Sequence, residues 1–435
     1  MYTSLLLNYL FVLAVIVIWF MVGYQFLLWA LGYRFSRLAE RERAELDAAA
    51  AQGSADLPGV SILLPAHNEE IVIERTLAAL LALRYPPDRL EILVINDAST
   101  DRTGELAAGV AALHPQVRVL EIPRGVGGRG KAGALNAGLV QARHSILAVY
   151  DADNRPEPDS LAYLVRQLIR HPELAAVLGK FRCLNRRRNW LTRFVNIEGI
   201  SFQWMIQAGR WMLMRFCSLP GTNYVIRREA LEKTGGWDER ALTEDAELTL
   251  RLYEAGYRVK FAPYAVTWEQ EPETLRVWWR QRNRWVRGYN YLFRKFAFRV
   301  WRLRPRALAF EIVYSLSIFY VFFLAVIISD LLFLCGAQGW IIIPVPGPYR
   351  EVWLLGFLLF VLELILTLSL EPDEDSILNI ALTVPMYLTY SQLWIPLVIQ
   401  AFWQDFVSRK ESRWVKTERF VVEEAPVTKV LKTKP

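Results

Sequence analysis

Acidic residues follow two short apolar runs that have the composition of β-strands. Asp97 comes just after the run Leu90 to Ile95, and Asp151 and Asp153 follow the run Ser145 to Tyr150. Side chains at i and i+2 of an extended segment point the same way, so the second pair could share a divalent cation. Carboxylate oxygens suit Mg²⁺ or Mn²⁺, which can also neutralise a departing diphosphate. A helix cap and an ordinary Asp-rich turn are the structural alternatives for these two clusters.

Two later clusters could complete a transfer reaction. Glu244 and Asp245 open a predicted helix, where acids favour the helix dipole, but a carboxylate there can also act as a general base. Gln281, Arg284 and Trp285 stand at i, i+3 and i+4 and therefore share a helix face. A cation beside an indole ring suits a diphosphate next to a stacked sugar, although a belt of Trp and Arg at a membrane surface would have the same composition.

A glycine-rich run from Gly125 to Ala132 nearly fits the phosphate-binding loop of nucleoside triphosphatases. It follows a predicted strand and precedes a predicted helix, as that motif requires. Ala132 stands where a Ser or Thr hydroxyl would bind Mg²⁺, which disfavours a triphosphatase. A glycine-rich loop that brings Lys131 near a phosphate or a base is the better interpretation.

Composition indicates a membrane protein with a reducing cytosolic part. Hydrophobic residues make up 53% of 435 residues, and they are concentrated in a few long blocks. The three cysteines are far apart and form no disulfide framework or zinc spacing, and the four histidines are equally dispersed. The formal charge of +7 sits largely beside hydrophobic segments, so anionic lipid headgroups are predicted as partners rather than nucleic acid.

The first apolar block, Leu5 to about Leu31, is long enough to cross a bilayer. A cleaved signal peptide fits poorly because no Lys or Arg precedes the block. Basic residues follow it, beginning at Arg34, which places that end in the cytoplasm. The chain divides into an N-terminal transmembrane helix (1–33), a juxtamembrane helix and linker (34–59), an α/β domain (60–272), interfacial helices (273–306), C-terminal transmembrane helices (307–405) and a basic cytosolic tail (406–435).

Strand-like and helix-like segments alternate in the α/β domain, which predicts a mostly parallel sheet with ligands at the carboxyl ends of its strands. Two amphipathic segments, Trp190 to Phe216 and Thr274 to Val300, are predicted to lie in the membrane interface, with core helices as the alternative. The C-terminal topology is ambiguous. Three full spans would put the basic tail outside, against the positive-inside rule, so either one segment is re-entrant or interfacial, or Trp340 to Pro348 adds a crossing.

Taken together, the motifs resemble those of the processive, membrane-bound family 2 glycosyltransferases, which include cellulose, chitin, hyaluronan and poly-N-acetylglucosamine synthases. The resemblance covers roughly Val60 to Arg287. It rests on Ile62 to Glu70, the Asp97 cluster, Asp151-Ala152-Asp153, Gly221-Thr222-Asn223, Thr243-Glu244-Asp245 and Gln281-Arg282-Asn283-Arg284-Trp285. The resemblance implies a GT-A (Rossmann-like) fold, a UDP-sugar donor, Mg²⁺ or Mn²⁺, inversion at the anomeric carbon and a multi-pass protein of the inner membrane.

The same resemblance implies a role for each matched residue. Asp245 would be the catalytic base. The nucleotide sugar would contact Glu69, Asp97, Lys131, Asp151, Gln281, Arg284 and Trp285. The acceptor would contact Gly221, Thr222, Asn223, Glu244 and Trp285, and the metal would be bound by Asp153 with Asp151.

The expected reaction adds glucose or N-acetylglucosamine to a growing β-linked polysaccharide, coupled to translocation across the membrane. A saccharide or a lipid-linked molecule would be the acceptor, and export or regulatory subunits are possible partners. Two alternatives stay open: a single addition to a lipid acceptor, and a non-catalytic subunit that binds nucleotide sugar.

Overall fold

The computed structural model describes residues 2–51, 57–128, 130–302, 306–340, 349–409 and 418–420. Two parts of the chain lie outside the described residues. They are residues 341–348, the alternative place for an extra membrane crossing, and most of the predicted basic tail.

The chain begins with a single helix of 50 residues, α1 (Tyr2–Ala51). Its first half is apolar and its second half is polar, so one helix forms both the predicted span and the predicted juxtamembrane segment. The polar half is fixed to the α/β domain. Glu42 accepts a hydrogen bond of 2.8 Å from the Tyr264 hydroxyl, and Asp47 accepts one of 2.5 Å from the Tyr163 hydroxyl. The predicted juxtamembrane segment is therefore a continuous helix to Ala51 that is packed against the α/β domain.

The α/β domain contains eight strands and eight helices within its described residues. The strands are β1 (Val60–Ala66), β2 (Leu90–Asp97), β3 (Val117–Ile122), β4 (Ile146–Val149), β5 (Arg155–Pro156), β6 (Leu174–Cys183), β7 (Tyr224–Arg227) and β8 (Arg258–Glu269). The helices are α2 (Ile73–Leu81), α3 (Thr103–Leu113), α4 (Lys131–Gln141), α5 (Ser160–Arg170), α6 (Trp190–Ser201), α7 (Ala208–Met214), α8 (Arg228–Lys233) and α9 (Glu244–Glu254), with a π-helical segment, Phe202–Gln207, between α6 and α7.

The C-terminal part consists of helices. These are α10 (Leu275–Phe296), α11 (Arg306–Ser317), α12 (Phe323–Ala337), α13 (Tyr349–Leu368), α14 (Ile377–Pro385) and α15 (Trp394–Phe402). Short π-helical or 3₁₀ turns join α11 to α12 and α14 to α15, and a further π-helical turn, Trp403–Val407, follows α15. The amphipathic segments predicted from Trp190 and from Thr274 are both helical.

All eight strands form one sheet, in the order β3-β2-β1-β4-β7-β6-β8-β5. β3, β2, β1 and β4 are parallel, as predicted. β7 runs antiparallel to both β4 and β6, and β5 runs antiparallel to β8, so the sheet is mixed rather than mostly parallel. The reversal has a consequence for the site: Tyr224 at the start of β7 pairs with Val149 at the end of β4. The segment before β7 therefore meets the segment after β4.

The centre of the sheet is a continuous apolar layer. Ile62, Leu63 and Leu64 of β1 are completely buried, as expected for a parallel strand with helices on both faces. Helix-like patterns in the sequence predict helices near Thr103 to Leu113 and Lys131 to Gln141, and α3 and α4 have these bounds. The helix predicted from Glu70 begins instead at Ile73. The reason is a turn before it, in which the Val72 amide donates to the Glu69 carbonyl oxygen over 3.0 Å.

Three described helices are long and apolar enough to cross a membrane: Leu7–Ala51, Ile318–Gly336 and Ile377–Val407. α13 contains a shorter apolar stretch, Trp353–Leu368. Aromatic rings join α1 to α11, the helix that leads into the second of these three, since the rings of Tyr24 and Tyr314 lie 4.7 Å apart.

The segment Ile377–Val407 is bound along its length to the two amphipathic helices. Near its start, Arg193 of α6 donates a 3.2 Å hydrogen bond to Asn379. In its middle, the Trp278 indole of α10 donates to the Tyr390 hydroxyl over 2.9 Å. Near its end, Arg287 and Asn290 of α10 contact Asp405 at 2.7 and 2.8 Å. This segment therefore packs against both amphipathic helices, and it is also long and apolar enough to cross a membrane.

A buried carboxylate fixes the turn between α13 and α14 to the sheet. Glu371 lies 2.9 Å from the Lys180 ammonium and 3.1 Å from Nε of Arg182, both on β6, and it accepts 2.8 Å from the Trp204 indole. Burial alone would raise the pKa of Glu371, but Lys180 and Arg182 hold it below its ordinary value.

Replacing Glu371 by Gln removes the carboxylate that pairs with the buried Lys180 ammonium and with the half-buried Arg182. We expect Glu371→Gln to destabilise the fold by about 3 kcal/mol, seen as a lower midpoint of thermal unfolding in detergent. Glu351→Gln, at an exposed position on α13, is the matched control and should leave the midpoint unchanged. Equal midpoints for both variants would show that the Glu371 cluster contributes no stability.

Candidate active site

A pocket of about 410 Å³ opens at the carboxyl ends of β1, β2 and β4. It is closed on its other sides by the segment before β7, the start of α9 and one face of α10. The pocket brings together residues from every predicted cluster, and Asn223 is the one predicted site residue that does not line it. Those that line it are Glu69, Asp97, Lys131, Asp151, Asp153, Gly221, Thr222, Glu244, Asp245, Gln281, Arg284 and Trp285.

The loops after β1 and β2 are locked to each other. His67 Nδ1 lies 2.6 Å from the Asp97 carbonyl oxygen, and the Glu69 amide donates to the Thr103 hydroxyl over 2.7 Å. Asn68 and Ala98 both have positive φ angles, of 56° and 54°, a conformation that costs energy in non-glycine residues and clusters at functional sites. These contacts hold the Glu69 and Asp97 side chains at the rim of the sheet.

Asp97 also anchors the glycine-rich loop, because its carboxylate accepts a 2.7 Å hydrogen bond from the Gly128 amide. Helix α4 then begins at Lys131, whose side chain turns into the centre of the pocket. Its ammonium group forms an ion pair with Asp151, donates to the Gly221 carbonyl oxygen over 2.7 Å and lies 3.9 Å from Glu244. The Lys131 ammonium therefore lies among the acids at the centre of the pocket.

The pair Asp151 and Asp153 does not have the extended geometry that its spacing suggested. A turn begins at Asp151, with the Asn154 amide donating to the Asp151 carbonyl oxygen over 3.0 Å. The Asp151 amide donates in turn to the Thr222 hydroxyl over 3.0 Å. This hydrogen bond joins the segment before β7 to the end of β4. The two carboxylates consequently have different neighbours: Asp151 pairs with Lys131, whereas Asp153 accepts a 3.0 Å hydrogen bond from the Gln270 amide.

Glu244 and Asp245 open α9 inside the pocket. Burial raises the pKa of Asp245, and the charges of Lys131 and Arg284 oppose that rise. Burial and then the neighbouring Asp245 carboxylate raise the pKa of Glu244 to about 7, with Lys131 again opposing. The buried Glu244 and the half-buried Asp245 thus share a site in which the charged form of each carboxyl is disfavoured, as is common for acid–base groups.

The Gly221 backbone passes very close to Asp245. Its φ is +87°, and a Cβ at this position would lie 3.0 Å from Asp245 Oδ2 and 3.4 Å from the Lys131 ammonium. Only glycine adopts this conformation without strain and leaves room for the carboxylate.

The polar face of α10 completes the pocket. Arg284 donates to the Leu242 carbonyl oxygen over 3.1 Å, which holds its guanidinium near the start of α9. The Arg282 guanidinium lies 3.9 Å from the centre of the Trp285 ring and 2.7 Å from Glu198 on α6. One face of the indole is therefore covered by a fixed cation.

Asn223 has a different position from the one predicted. Its amide donates to the carbonyl oxygens of Lys180 and Ala265, 3.0 Å from each, and only 1% of the residue is exposed. It joins β6 to β8 behind the pocket, with φ of +50°. An acceptor-binding role for the Asn223 side chain does not agree with this geometry, and a structural role does.

Sequence reasoning missed a second group of acids and an arginine. Glu269 and Glu271, at the end of β8, line the pocket beside Asp153. Arg419 lies 2.9 Å from the Asp153 carboxylate, and the backbone of the next residue, Phe420, is held by two hydrogen bonds to the Gln270 side chain, of 2.9 and 3.1 Å. No local signal marked Arg419, because it stands in a polar stretch far along the chain from its partner.

These acids strongly affect each other. Burial raises the pKa of Asp153, and Arg419 opposes that rise. Burial raises the pKa of Glu271 to about 7, with Arg282 opposing, and burial with the charge of Glu271 raises that of Glu269 well above its usual range. A cation placed here would lower all three pKa values.

The residues around Asp153 fit a divalent cation that is bound together with a ligand. No group of three metal-binding side chains occurs among the described residues. Mg²⁺ characteristically uses one or two carboxylates and completes its shell with phosphate oxygens and water. The Arg419 guanidinium at 2.9 Å shows that a positive charge is accommodated against Asp153.

Comparison with known proteins agrees with this arrangement. Residues 58–288 match the family described as "Glycosyltransferase like family 2". The chain belongs to this glycosyltransferase family. It is 42% identical to the probable glycosyltransferase YdaM of Bacillus subtilis over 416 residues, 95% of this chain and 98% of that protein.

A second relative and one solved structure extend the comparison. A poly-beta-1,6-N-acetyl-D-glucosamine synthase of Staphylococcus aureus is 34% identical over 242 residues, 55% of this chain and 57% of the synthase. The mannosyltransferase PcManGT of Pyrobaculum calidifontis, solved with GDP-Man and Mn²⁺, superposes with a TM-score of 0.54 at 21% identity, over 88% of this chain and 100% of that one. The fold is GT-A-like, and the protein is a nucleotide-sugar glycosyltransferase.

Lys131 offers a test of the electrostatics of the pocket. Lys131→Met removes a charge that lowers the pKa of Asp245, so that pKa rises. Because only a deprotonated carboxylate can accept a proton, the acid limb of the rate–pH profile should move to higher pH by about one unit. Lys131→Arg keeps the charge and should keep the limb near its wild-type position. If the acid limb of the rate–pH profile of Lys131→Met stayed at its wild-type pH, the charge of Lys131 would not control the pKa of Asp245.

The close approach at Gly221 gives a second prediction. Gly221→Ala should lower transfer activity about 100-fold, because the added methyl group displaces Asp245 or Lys131. Gly235→Ala is the matched control: Gly235 has φ of +86°, but a Cβ there meets no atom within 4 Å. Equal losses of activity in both variants would attribute the effect to backbone strain instead of to the approach to Asp245.

Proposed function

We propose that the protein is an inverting, metal-dependent membrane glycosyltransferase. It transfers glucose or N-acetylglucosamine from a UDP-sugar to a growing β-linked polysaccharide. The observation that carries this proposal is the pocket itself, in which a buried carboxylate pair, two cations and an indole ring face one another. The named S. aureus synthase supports N-acetylglucosamine as the sugar and a polymer as the product.

In the proposed reaction, Asp245 removes the proton from a hydroxyl group of the acceptor. The oxygen attacks C1 of the α-linked donor from the face opposite the diphosphate, so the C1–O bond to the diphosphate breaks and a β-linkage forms. Lys131 and Arg284, whose charges both act on Asp245, stabilise the negative charge that collects on the departing UDP. Trp285 stacks against the acceptor sugar.

Asp153, assisted by Asp151, would hold Mg²⁺ or Mn²⁺. When bound, the ion neutralises charge on the diphosphate as it leaves. The Mn²⁺ in the PcManGT structure belongs to that protein, and it supports the same choice here by fold alone.

The path of the chain supports a membrane protein with the pocket on the cytosolic side. We place the apolar half of α1, the segment through α12, and α13 across the membrane, with the segment Ile377–Val407 at its cytosolic surface. The contacts of Tyr390 and Asp405 with α10 support the interfacial position. Three crossings bring the basic C-terminal tail to the cytosol, which removes the conflict with the positive-inside rule.

The pocket adjoins a route into the membrane. Phe319 and Trp394 line the pocket, and their rings stack with centres 5.9 Å apart. A second cavity lies between α1, α12 and α13. It is lined by Phe322, about one helical turn after Phe319, and by Ile395, the residue after Trp394. A chain extended at Trp285 would leave past the Phe319–Trp394 pair, which supports coupling of synthesis to translocation.

UDP release by the purified protein in nanodiscs, with a panel of UDP-sugars and Mg²⁺ or Mn²⁺, tests the proposal. One donor that gives a long product would support the polymer synthase. One donor that gives a single sugar on an endogenous lipid would replace it by the single-addition alternative. No UDP release with any donor would contradict the proposal and favour the non-catalytic alternative.

The role of Asp245 gives a sharper prediction. Asp245→Asn keeps the shape of the side chain but cannot accept a proton, so transfer should fall at least about 10³-fold while UDP binding persists. Glu254→Gln, an exposed position at the far end of α9, should retain wild-type transfer. Near-normal turnover by Asp245→Asn would show that another group is the base.

The proposed topology predicts which cysteines can be labelled from each side of the membrane. In a chain whose native cysteines are replaced by serine, a membrane-impermeant maleimide should label Ser408→Cys only from the cytosolic side. It should label Trp340→Cys only from the outside. Labelling of Ser408→Cys from the outside would mean that the segment Ile377–Val407 crosses the membrane after all.

A further inference from the structure

The second cavity has a composition unlike that of an ordinary gap between helices. It has a volume of about 310 Å³ and lies between α1, α12, α13 and the segment Ile377–Val407. Aromatic side chains from all four elements line it, including Trp19, Phe357 and Tyr387. Two carboxyl groups, of Asp330 and Glu363, lie among them, and no Lys, Arg or His belongs to the described lining.

Among the described residues, no cation pairs with either carboxyl group. Asp330 accepts a 3.2 Å hydrogen bond from the Trp353 indole. Glu363 is only 4% exposed, and its Oε1 atom has no hydrogen-bond partner among the described residues. A carboxyl group at membrane depth is costly, and such groups characteristically mark a binding site or an ion path.

We propose that this cavity binds a ligand through a primary ammonium group. The carboxyl groups would accept hydrogen bonds from the ammonium, and the faces of Trp19, Trp353 and Tyr387 supply the ring surfaces that attract cations. A divalent metal ion is a poor match, because hard cations need several oxygen ligands and aromatic rings supply none. The surrounding apolar walls fit the carbon skeleton that carries the amine.

Two molecules with this chemistry reach such a position. One is an amino sugar of a saccharide other than the chain proposed above, whose glucose or N-acetylglucosamine units carry no primary amine, and the other is a phosphatidylethanolamine headgroup entering from the bilayer. This inference rests on the proposed membrane crossings, but it does not depend on which sugar the pocket transfers.

Matched pairs of probes that differ in one amine separate the two sources. The sugar pair is a β-linked glucosamine tetramer and its N-acetylated form, with binding measured by thermophoresis in nanodiscs made of phosphatidylglycerol. The lipid pair is phosphatidylethanolamine and N-acetyl phosphatidylethanolamine, with retention measured by native mass spectrometry. Glu363→Gln removes the charge at constant shape, and Glu351→Gln, exposed on the same helix, is the control.

We expect one amine probe to bind at least about tenfold more tightly than its acetylated partner, and Glu363→Gln to abolish that preference while Glu351→Gln keeps it. A preference for the tetramer identifies a sugar site, and a preference for the lipid identifies a headgroup site. Equal binding of amine and acetylated probes, or an undiminished preference in Glu363→Gln, would overturn the inference. UDP release by the same samples tests the proposed function separately. A protein that releases no UDP but still prefers the amine probe would contradict the proposed function and leave this inference intact.

Discussion

The shortage of positive charge in the active-site pocket constrains the rest of the structure. Among the described residues that line it, nine are acidic and four are cationic. Burying carboxylates without counter-charge raises their pKa values and costs stability. Lys131 is the residue that reduces this cost most directly, since it contacts Asp151, approaches Glu244 and lowers the pKa of Asp245. The remaining excess of negative charge favours a ligand that arrives with a cation.

The fold explains how the acids come together. β7 runs antiparallel to β4, so Gly221 and Thr222, just before β7, lie at the turn that begins at Asp151. The start of α9 brings Asp245 next to Gly221. α10 then closes the pocket and extends away from it as an amphipathic helix. Because Trp278 and Arg287 of α10 bind the segment Ile377–Val407, the wall that carries Trp285 is also part of the layer expected at the membrane surface. Under the proposed function, a sugar transferred at this wall would be released next to the apolar C-terminal helices.

Local sequence patterns predicted much of this arrangement. The ends of β2 and β4 and the bounds of α3 and α4 follow from apolar periodicity, and the shared face of Gln281, Arg284 and Trp285 follows from helical spacing. The contributions of Arg419 and Glu271 could not be predicted, because each meets Asp153 only through tertiary folding. The position of Lys131 inside the pocket and that of Asn223 behind it depend on contacts with residues distant in the sequence. Composition alone could not place the segment Ile377–Val407, because a helix packed against the aromatic residues of α10 can be as apolar as one that crosses a membrane.

If the pocket accepts a diphosphate only together with added positive charge, UDP binding should depend on a divalent cation. Calorimetric titration of UDP into the purified protein, with Mn²⁺ and again after chelation, measures this dependence. The account predicts binding with Mn²⁺, little or none without it, and weak binding in Asp153→Asn under both conditions. Equal UDP affinity with and without the metal would contradict it.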